Sequence, residues 1–521
     1  MIKIKHILLL SGILILFSCS ESFLDLYPET NVTSASFYKT TDHFDQALNA
    51  SYTGLRNIVN NGLFMDEMRS DNAFYTIYYG DRGPYASYEM PSLFIDDEVS
   101  ANAGPIRDRW TVNYQNIAKV NTIIDRIELS ELTDIQKSNV KAEAYFLRAF
   151  YYFDLVKCFG GVPLNLTEVS SAEGVFLPRS SVDDCYAQIL IDLNTSIELG
   201  LPIPVKFPEE NKGRATMGAA KMLRAYVNMT KPNPDYTAAE QDLIHITKMN
   251  YGLLSSYNDV FNPSNKNNKE TIFEVQYTED GSTNQFSTFA WRLAPKCSNL
   301  IEMMGVAGSN YAGTSGGWVV PTKEMVDSYE EGDLRLPESV VVVEGRLEGD
   351  NFYYERIAEA NDYEPQDGKS FYYMVKKYFH PPYTYSLRAI ENFPIYRYAG
   401  ALLLLSESLV QQGKSSEALP YINQVRARAG LSALMNCTLE DVANEMRHEL
   451  AFENHRWSDL KRTGLVKPVM TAHGEMIKTI HPWVKATNND GCYIIDDFRM
   501  IYAIPTREIE INNLLEQNPG Y

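Results

Sequence analysis

The chain has 521 residues, and its 47 Lys and Arg stand against 67 Asp and Glu for a formal charge of −20. So acidic a balance argues against a nucleic-acid binder and against electrostatic adhesion to an anionic lipid surface. The six cysteines, none spaced two residues from another, imply neither a zinc ribbon nor a dense disulfide framework, and no motif calls for a cofactor.

The first element is a targeting segment. Lys3, Lys5 and His6 precede an apolar run, Ile7 to Phe17, interrupted by Ser11 and Gly12. A bilayer span needs about 20 apolar residues, so the run is too short to cross and has the layout of a secretory signal. Leu16-Phe17-Ser18-Cys19 resembles a lipobox, which makes residues 1–18 a signal peptide and Cys19 the lipid attachment point. Residues 19–30 then read as a polar tether, and the protein is expected to be anchored to a membrane rather than inserted in it.

The next elements are helices. Asp42 to Asn60 carries Phe44, Leu48, Tyr52 and Leu55 at helical spacing, and Trp110 to Ile127 repeats the pattern. Thr133-Asp134 caps a helix running to about Val156, where Gly160-Gly161-Val162-Pro163 stops it. Ser181–Leu199, Thr216–Met229 and Ala238–Met249 follow, completing a helical region over 31–250. Residues 251–395 differ: the stretches 270–277 and Glu338–Glu344 have strand character, while 262–269 and 305–317 are rich in Gly, Asn and Ser. This is a loop-rich, partly β insert. In 396–521, helices Arg397–Gln412 and Ser415–Ala429 flank a Gly-containing turn in the tetratricopeptide manner, and a last helix is expected over Leu439–Asn454. The fold class is therefore mainly α, with the insert laid on a helical scaffold.

Catalytic motifs fail on inspection. Gly313–Gly317 fits the bare nucleophile-elbow pattern but lacks the flanking strand and helix. Gly413-Lys414-Ser415 lacks the earlier glycine of a phosphate loop, which is Ser408, and the second ligand of a zinc-protease helix beginning at His448-Glu449 is Phe452. The stretch Glu449–Arg462 reads as scaffold, with Arg456 stacked on Trp457 and paired with Glu453.

Binding chemistry is denser. Asp71, Asn72, Phe74, Tyr75, Tyr78, Tyr79, Asp81, Arg82, Tyr85 and Tyr88 lie in one stretch, and Asn284, Trp291, Tyr311 and Trp318 form a second group in the insert. Sugars present apolar C–H faces and a rim of hydroxyls, so flat rings interleaved with planar polar groups suit them. The expected ligand contacts are Asp71, Asn72, Tyr75, Tyr78, Tyr79, Arg82, Trp291 and Trp318.

Six motifs together resemble the SusD/RagB family of nutrient-binding lipoproteins. They are the lipobox with Phe23-Leu24-Asp25 and Pro28; the run from Ala142 to Tyr152 leading into Phe159–Leu164; Gly213-Arg214-Ala215-Thr216; Ile422 to Gly430; Glu449–Glu453 with Arg456-Trp457 and Asp459–Arg462; and Ile504-Pro505 with Glu508-Ile509 and the end Gln517–Tyr521. They occur in family order from residue 19 to residue 521; Met446, where the family usually has Arg, is the departure. The resemblance implies about four tetratricopeptide-like helix pairs and a place on the outer face of the outer membrane. It also implies a SusC-like TonB-dependent transporter as partner, an oligosaccharide as ligand, and binding without catalysis. An oligopeptide ligand on the same architecture is the alternative, and a glycoside hydrolase is the alternative of another class.

Overall fold

The computed structural model describes residues 37–75, 86–169, 174–203, 212–279, 285–307 and 316–521. The expected signal peptide, Cys19, the tether and Gly313–Ser315 lie outside them.

The central element is the Asp134–Phe159 helix. Thr133 caps it in a reciprocal box with Gln136, and Gly160, at φ 73, ends it in a conformation that an L side chain resists. Residues 146–156 are buried without interruption, so this helix has no solvent face along that stretch. The Gly104–Glu128 and Val182–Leu199 helices pack against it. Its one buried cation there, Arg148, is satisfied by both oxygens of Asp192 and by Asn121.

The helices continue in pairs. Met217–Thr230 packs on Tyr236–Thr247, and Tyr398–Gln411 packs on Ser415–Arg428. Tyr398–Gln411 also meets Tyr236–Thr247 and Leu439–Glu449, so the stack is continuous although the insert separates its two halves in sequence. The mainly α, tetratricopeptide-like architecture is as expected.

Two helix ends differ from the sequence reading. The first helix is broken at Thr53 into Thr41–Tyr52 and Gly54–Gly62, and runs on into a π-helical turn, Leu63–Glu67. The helix expected over Leu439–Asn454 stops at Glu449, with Phe452 and Asn454 at positive φ. The causes are linked: the buried Glu67 carboxylate accepts the backbone N–H groups of Phe452 and Asn454, at 3.0 Å each, which takes them out of a helical ladder. Burial pushes the Glu67 pKa up to about 7 against the pull of those donors. Two further helices follow: Arg456–Thr463, within the stretch whose charges sit at helical separations, and Val466–Ile480, where none was expected.

The insert is built on short antiparallel ladders. β1 (Ala73–Phe74) pairs with β3 (Val320–Pro321), and β2 (Thr271–Val275) pairs with β7 (Phe393–Arg397). β4 (Val340–Glu348) lies between β5 (Asn351–Glu359) and β6 (Ser370–Val375). The four consecutive valines of β4 are explained by its two buried faces. Val340 and Val342 join the main core, while Val341 and Val343 join a smaller core with Trp291, Phe352 and Met374.

Buried charge fastens the insert to the C-terminal helices. Arg397 contacts Glu270 at 2.7 Å, Glu449 at 2.9 Å and Glu453 at 2.7 Å. Glu449 also meets Arg335 and Arg428, and Lys377 pairs with Glu453 at 2.7 Å. Three guanidinium groups hold the Glu449 carboxyl far below its ordinary range in spite of burial. The expected pairing of Arg456 with Glu453 and its stacking on Trp457 do not form: Arg456 is bidentate to Asp71, and the cations over the Trp457 ring are Arg69 and Lys461, 5.2 and 5.5 Å from its centroid. Met446 is buried with its sulfur 3.6 Å from Arg462, a guanidinium already paired with Glu407 and Asp459. At the end of the chain, Asn518 donates to the carbonyls of Phe159 and Tyr502 and accepts from Arg179. The five described cysteines are buried and free.

Candidate functional site

The two aromatic stretches, more than 200 residues apart in sequence, meet in space. β1 leads out to residue 75, and the chain returns at the Ala86–Leu93 helix that carries Tyr88. β3 pairs with β1 and begins two residues after Trp318, which sets Trp318 beside the early stretch. Trp318 is the junction: its ring lies 5.3 Å from Phe64, 5.8 Å from Tyr88 and 6.4 Å from Tyr75. Gly316 makes the turn into it, at φ 112; a Cβ there would stand 2.1 Å from the Ala294 carbonyl oxygen, so only glycine fits.

A third segment, from the C-terminal region, completes the face. His481 stacks on Phe74 at 5.3 Å, and Trp483 lies 6.3 Å from Tyr75 and 6.4 Å from Phe74. Burial holds the His481 pKa below that of a free imidazole, so it is neutral at pH 7 and stacks without a charge. Beside the β1–β3 ladder is a cleft of about 360 Å³ lined by Phe74, Tyr75, Pro321, Tyr372, Ile480 and His481 among others. On the other side of Trp318, the Arg292 guanidinium lies 5.8 Å over the Phe64 ring. The surface formed is ring-rich, half-buried at Tyr88, His481 and Trp483, and edged by cations at Arg292 and Lys323.

The expected ligand contacts divide into three groups. Trp318 and Tyr75 are brought together, but both are buried, at 8% and 2% exposure, so they support the junction from within and the rings that reach solvent are those packed around them. Tyr78, Tyr79 and Arg82 lie outside the described residues, as do Asn284 and Tyr311 from the wider clusters. Asp71, Asn72 and Trp291 are corrected. Asp71 is 3% exposed, and both its oxygens are taken by Arg456, with Arg447 at 3.1 Å. Those two guanidinium groups overcome burial and hold its carboxyl well below the usual range. Asn72 is fully buried, donating to Glu67 and accepting from Arg447. Trp291 is fully buried in the smaller core. These residues hold the floor of the face and do not reach its surface.

His481, Trp483 and Arg292 were missed by sequence reasoning. Trp483 is one of only five tryptophans, next to Pro482 in a helix of mixed polarity, and that rarity was the available signal. The failed zinc-helix pair is structural: His448 shares a 3.0 Å hydrogen bond with Ser328 and packs on Tyr329, while Glu449 sits in the charge cluster. Among the described residues no three His, Cys, Asp or Glu side chains converge as a metal set, and no helix there is long and apolar enough to cross a membrane.

Known proteins share this fold. Residues 22–227 match the family described as starch-binding and associating with the outer membrane, and residues 269–521 match the SusD family. The chain is 25% identical to SusD-like protein P25 of Formosa agariphila over 570 aligned positions, covering all of both chains. It is 24% identical to the starch-binding protein SusD of Bacteroides thetaiotaomicron, over 78% of this chain and 77% of that one. Its fold superposes on surface glycan-binding protein A of Bacteroides fluxus with a TM-score of 0.73 at 25% identity, covering 93% of this chain and all of that one. With the helix-pair stack, the inserted ladders and both halves of the sequence in agreement, the chain belongs to the SusD/RagB family.

Proposed function

We propose that the protein is a cell-surface glycan-binding lipoprotein that captures an oligosaccharide on its aromatic face and passes it to a SusC-like TonB-dependent transporter. One observation carries the reading: Trp318 of the insert packs against Tyr75 and Tyr88 of the early stretch, and Tyr75 in turn meets Trp483 of the C-terminal region. Rings with polar rims offer stacking surfaces for sugar C–H faces and hydrogen bonds for hydroxyls. The relatives named for starch or glycan binding support the same ligand class. In this reading Tyr78, Tyr79 and Arg82 extend the face and Cys19 carries the lipid. The anchor keeps the body at high effective concentration over its transporter, on the outer face of the outer membrane.

The test is calorimetry of the purified protein against oligosaccharides and oligopeptides, with product analysis of the best ligand. Binding of a glycan without turnover, weakened at least tenfold by Tyr78→Ala with Tyr79→Ala, is the expected result. Turnover abolished by one carboxylate substitution, or binding of peptides alone, overturns it.

A further inference from the structure

Arg292 stands apart from the other cations of the core. It lies in the short helix Phe289–Leu293, whose Phe289, Trp291 and Leu293 are buried, while Arg292 itself is half-buried. Its backbone is held from both sides: its N–H donates to Thr288, and its carbonyl accepts from the Trp318 N–H at 3.2 Å. Its guanidinium has no such ties. It makes no ion pair and donates no hydrogen bond among the described residues, and its nitrogens are not sealed away from solvent. The ionisable groups that reach it are the phenols of Tyr88 and Tyr277, not carboxylates, and burial lowers its pKa.

A partly desolvated guanidinium without an anion is an unfavourable arrangement that an oxyanion would relieve. Stacking on Phe64 at 5.8 Å is near the limit of a cation–π contact and uses none of the five N–H donors. Those donors form a planar fork that matches carboxylate and sulfate oxygens. The negative charge of the whole chain does not forbid this, because charges beyond about 10 Å are largely screened at 0.1 M salt while a close pair in a half-buried site is not.

We propose that Arg292 forms an anion subsite at the edge of the aromatic face, so that the preferred ligand is a glycan carrying an oxyanion, either a uronate carboxylate or a sulfate ester. The proposal rests on the glycan-binding reading above and narrows its ligand class. The sugar rings would lie against Tyr88, with the charged substituent at the fork.

The experiment is calorimetry of the full mature protein with three probes of matched length: oligogalacturonate, a sulfated galactan oligosaccharide and neutral maltohexaose. At least one acidic probe is expected to bind ten times more tightly than the neutral one. Arg292→Gln should lose at least tenfold for that probe and less than threefold for maltohexaose, and Arg292→Lys should recover part of the loss. Affinity of the unaltered protein for the acidic probe should fall as NaCl rises from 20 to 200 mM, and this salt series needs no variant to fold. The comparison between the two acidic probes names the anion. Neutral binding equal to or tighter than both acidic probes overturns the subsite and leaves glycan binding standing. So does an equal loss for all probes in Arg292→Gln with unchanged melting temperature, which would make the residue a packing element. Failure of every glycan to bind overturns the proposed function itself.

Discussion

The buried charge cluster around Glu449 and the aromatic face around Trp318 use similar side chains to opposite ends. In the cluster, Arg335, Arg397 and Arg428 each meet at least one carboxylate within 3.3 Å, and the partners come from the insert as well as the C-terminal helices. In the face, rings meet rings, and among the described residues Arg292 meets a ring but no carboxylate. A guanidinium whose charge is answered inside the chain specifies how segments fit; one whose charge is left open is available to something outside it. Removing a partner from the first kind is costly because it strands buried charge, whereas substitution in the second changes what binds.

That contrast can be broken at several points. Glu449→Ala, which takes one of its carboxylate partners from each of three buried guanidinium groups, should cost about 3 kcal/mol of stability, read as a lower urea midpoint; a loss below about 1 kcal/mol would show that the cluster is not what fastens the insert. Trp318→Ala should cost about 3 kcal/mol by leaving a cavity between three other rings, seen by scanning calorimetry, and should weaken glycan binding as well because Tyr75 and Tyr88 lose their common support.

Acid should act through His473, which burial holds at about pKa 4 against an ordinary 6.5, with Asp71 and Glu324 opposing only in part. The unfolded chain then takes up the proton first, so this contribution is complete above pH 6.5 and is lost as the pH falls toward 4. It amounts to on the order of 3 kcal/mol, and His473→Gln should flatten that part of a pH series of denaturation midpoints. His448, also buried and depressed, acts in the same direction. On the binding side, Trp483→Ala should leave the melting temperature almost unchanged and weaken glycan affinity by about fivefold, roughly 1 kcal/mol of ring contact. The smallest effect belongs to the exposed Lys323–Asp327 pair beside the cleft. Lys323→Ala should change stability by less than about 0.5 kcal/mol and serves as the control for the others.

The helical scaffold was legible because its signals are local. Thr133 with Gln136, the 3.6-residue spacing of the Gly104–Glu128 and Tyr398–Gln411 helices and the stop at Gly160 all lie within a few residues of what they control. The end of the Leu439–Glu449 helix was not legible, because the group that diverts it, Glu67, is 385 residues from Phe452. The same distance hid the role of Asp71. Set among aromatic residues it reads as a sugar ligand, and only the fold brings Arg447 and Arg456 to it. Trp318 was legible as part of a ring-rich stretch, but its role as a junction depends on β1 pairing with β3 across more than 240 residues. Arg292 left no mark in the sequence at all, since its distinction is that no described residue gives its guanidinium the partner that folding supplies to its neighbours.

The side chain of Asn518 has a consequence for the order in which the molecule is made. It closes onto Phe159, at the end of the central helix, and onto Arg179, so that helix is finished by residues more than 330 positions later. Arg69 is held in the same way, donating to the carbonyl of Arg499, 430 positions on. A ribosome that has completed the first half of this chain has therefore not yet supplied the groups that lock it. Contacts of such long range are slow to form because each closes a large loop before it returns any stabilisation. The early helices stay without these closing contacts until residues 499 to 518 have been made.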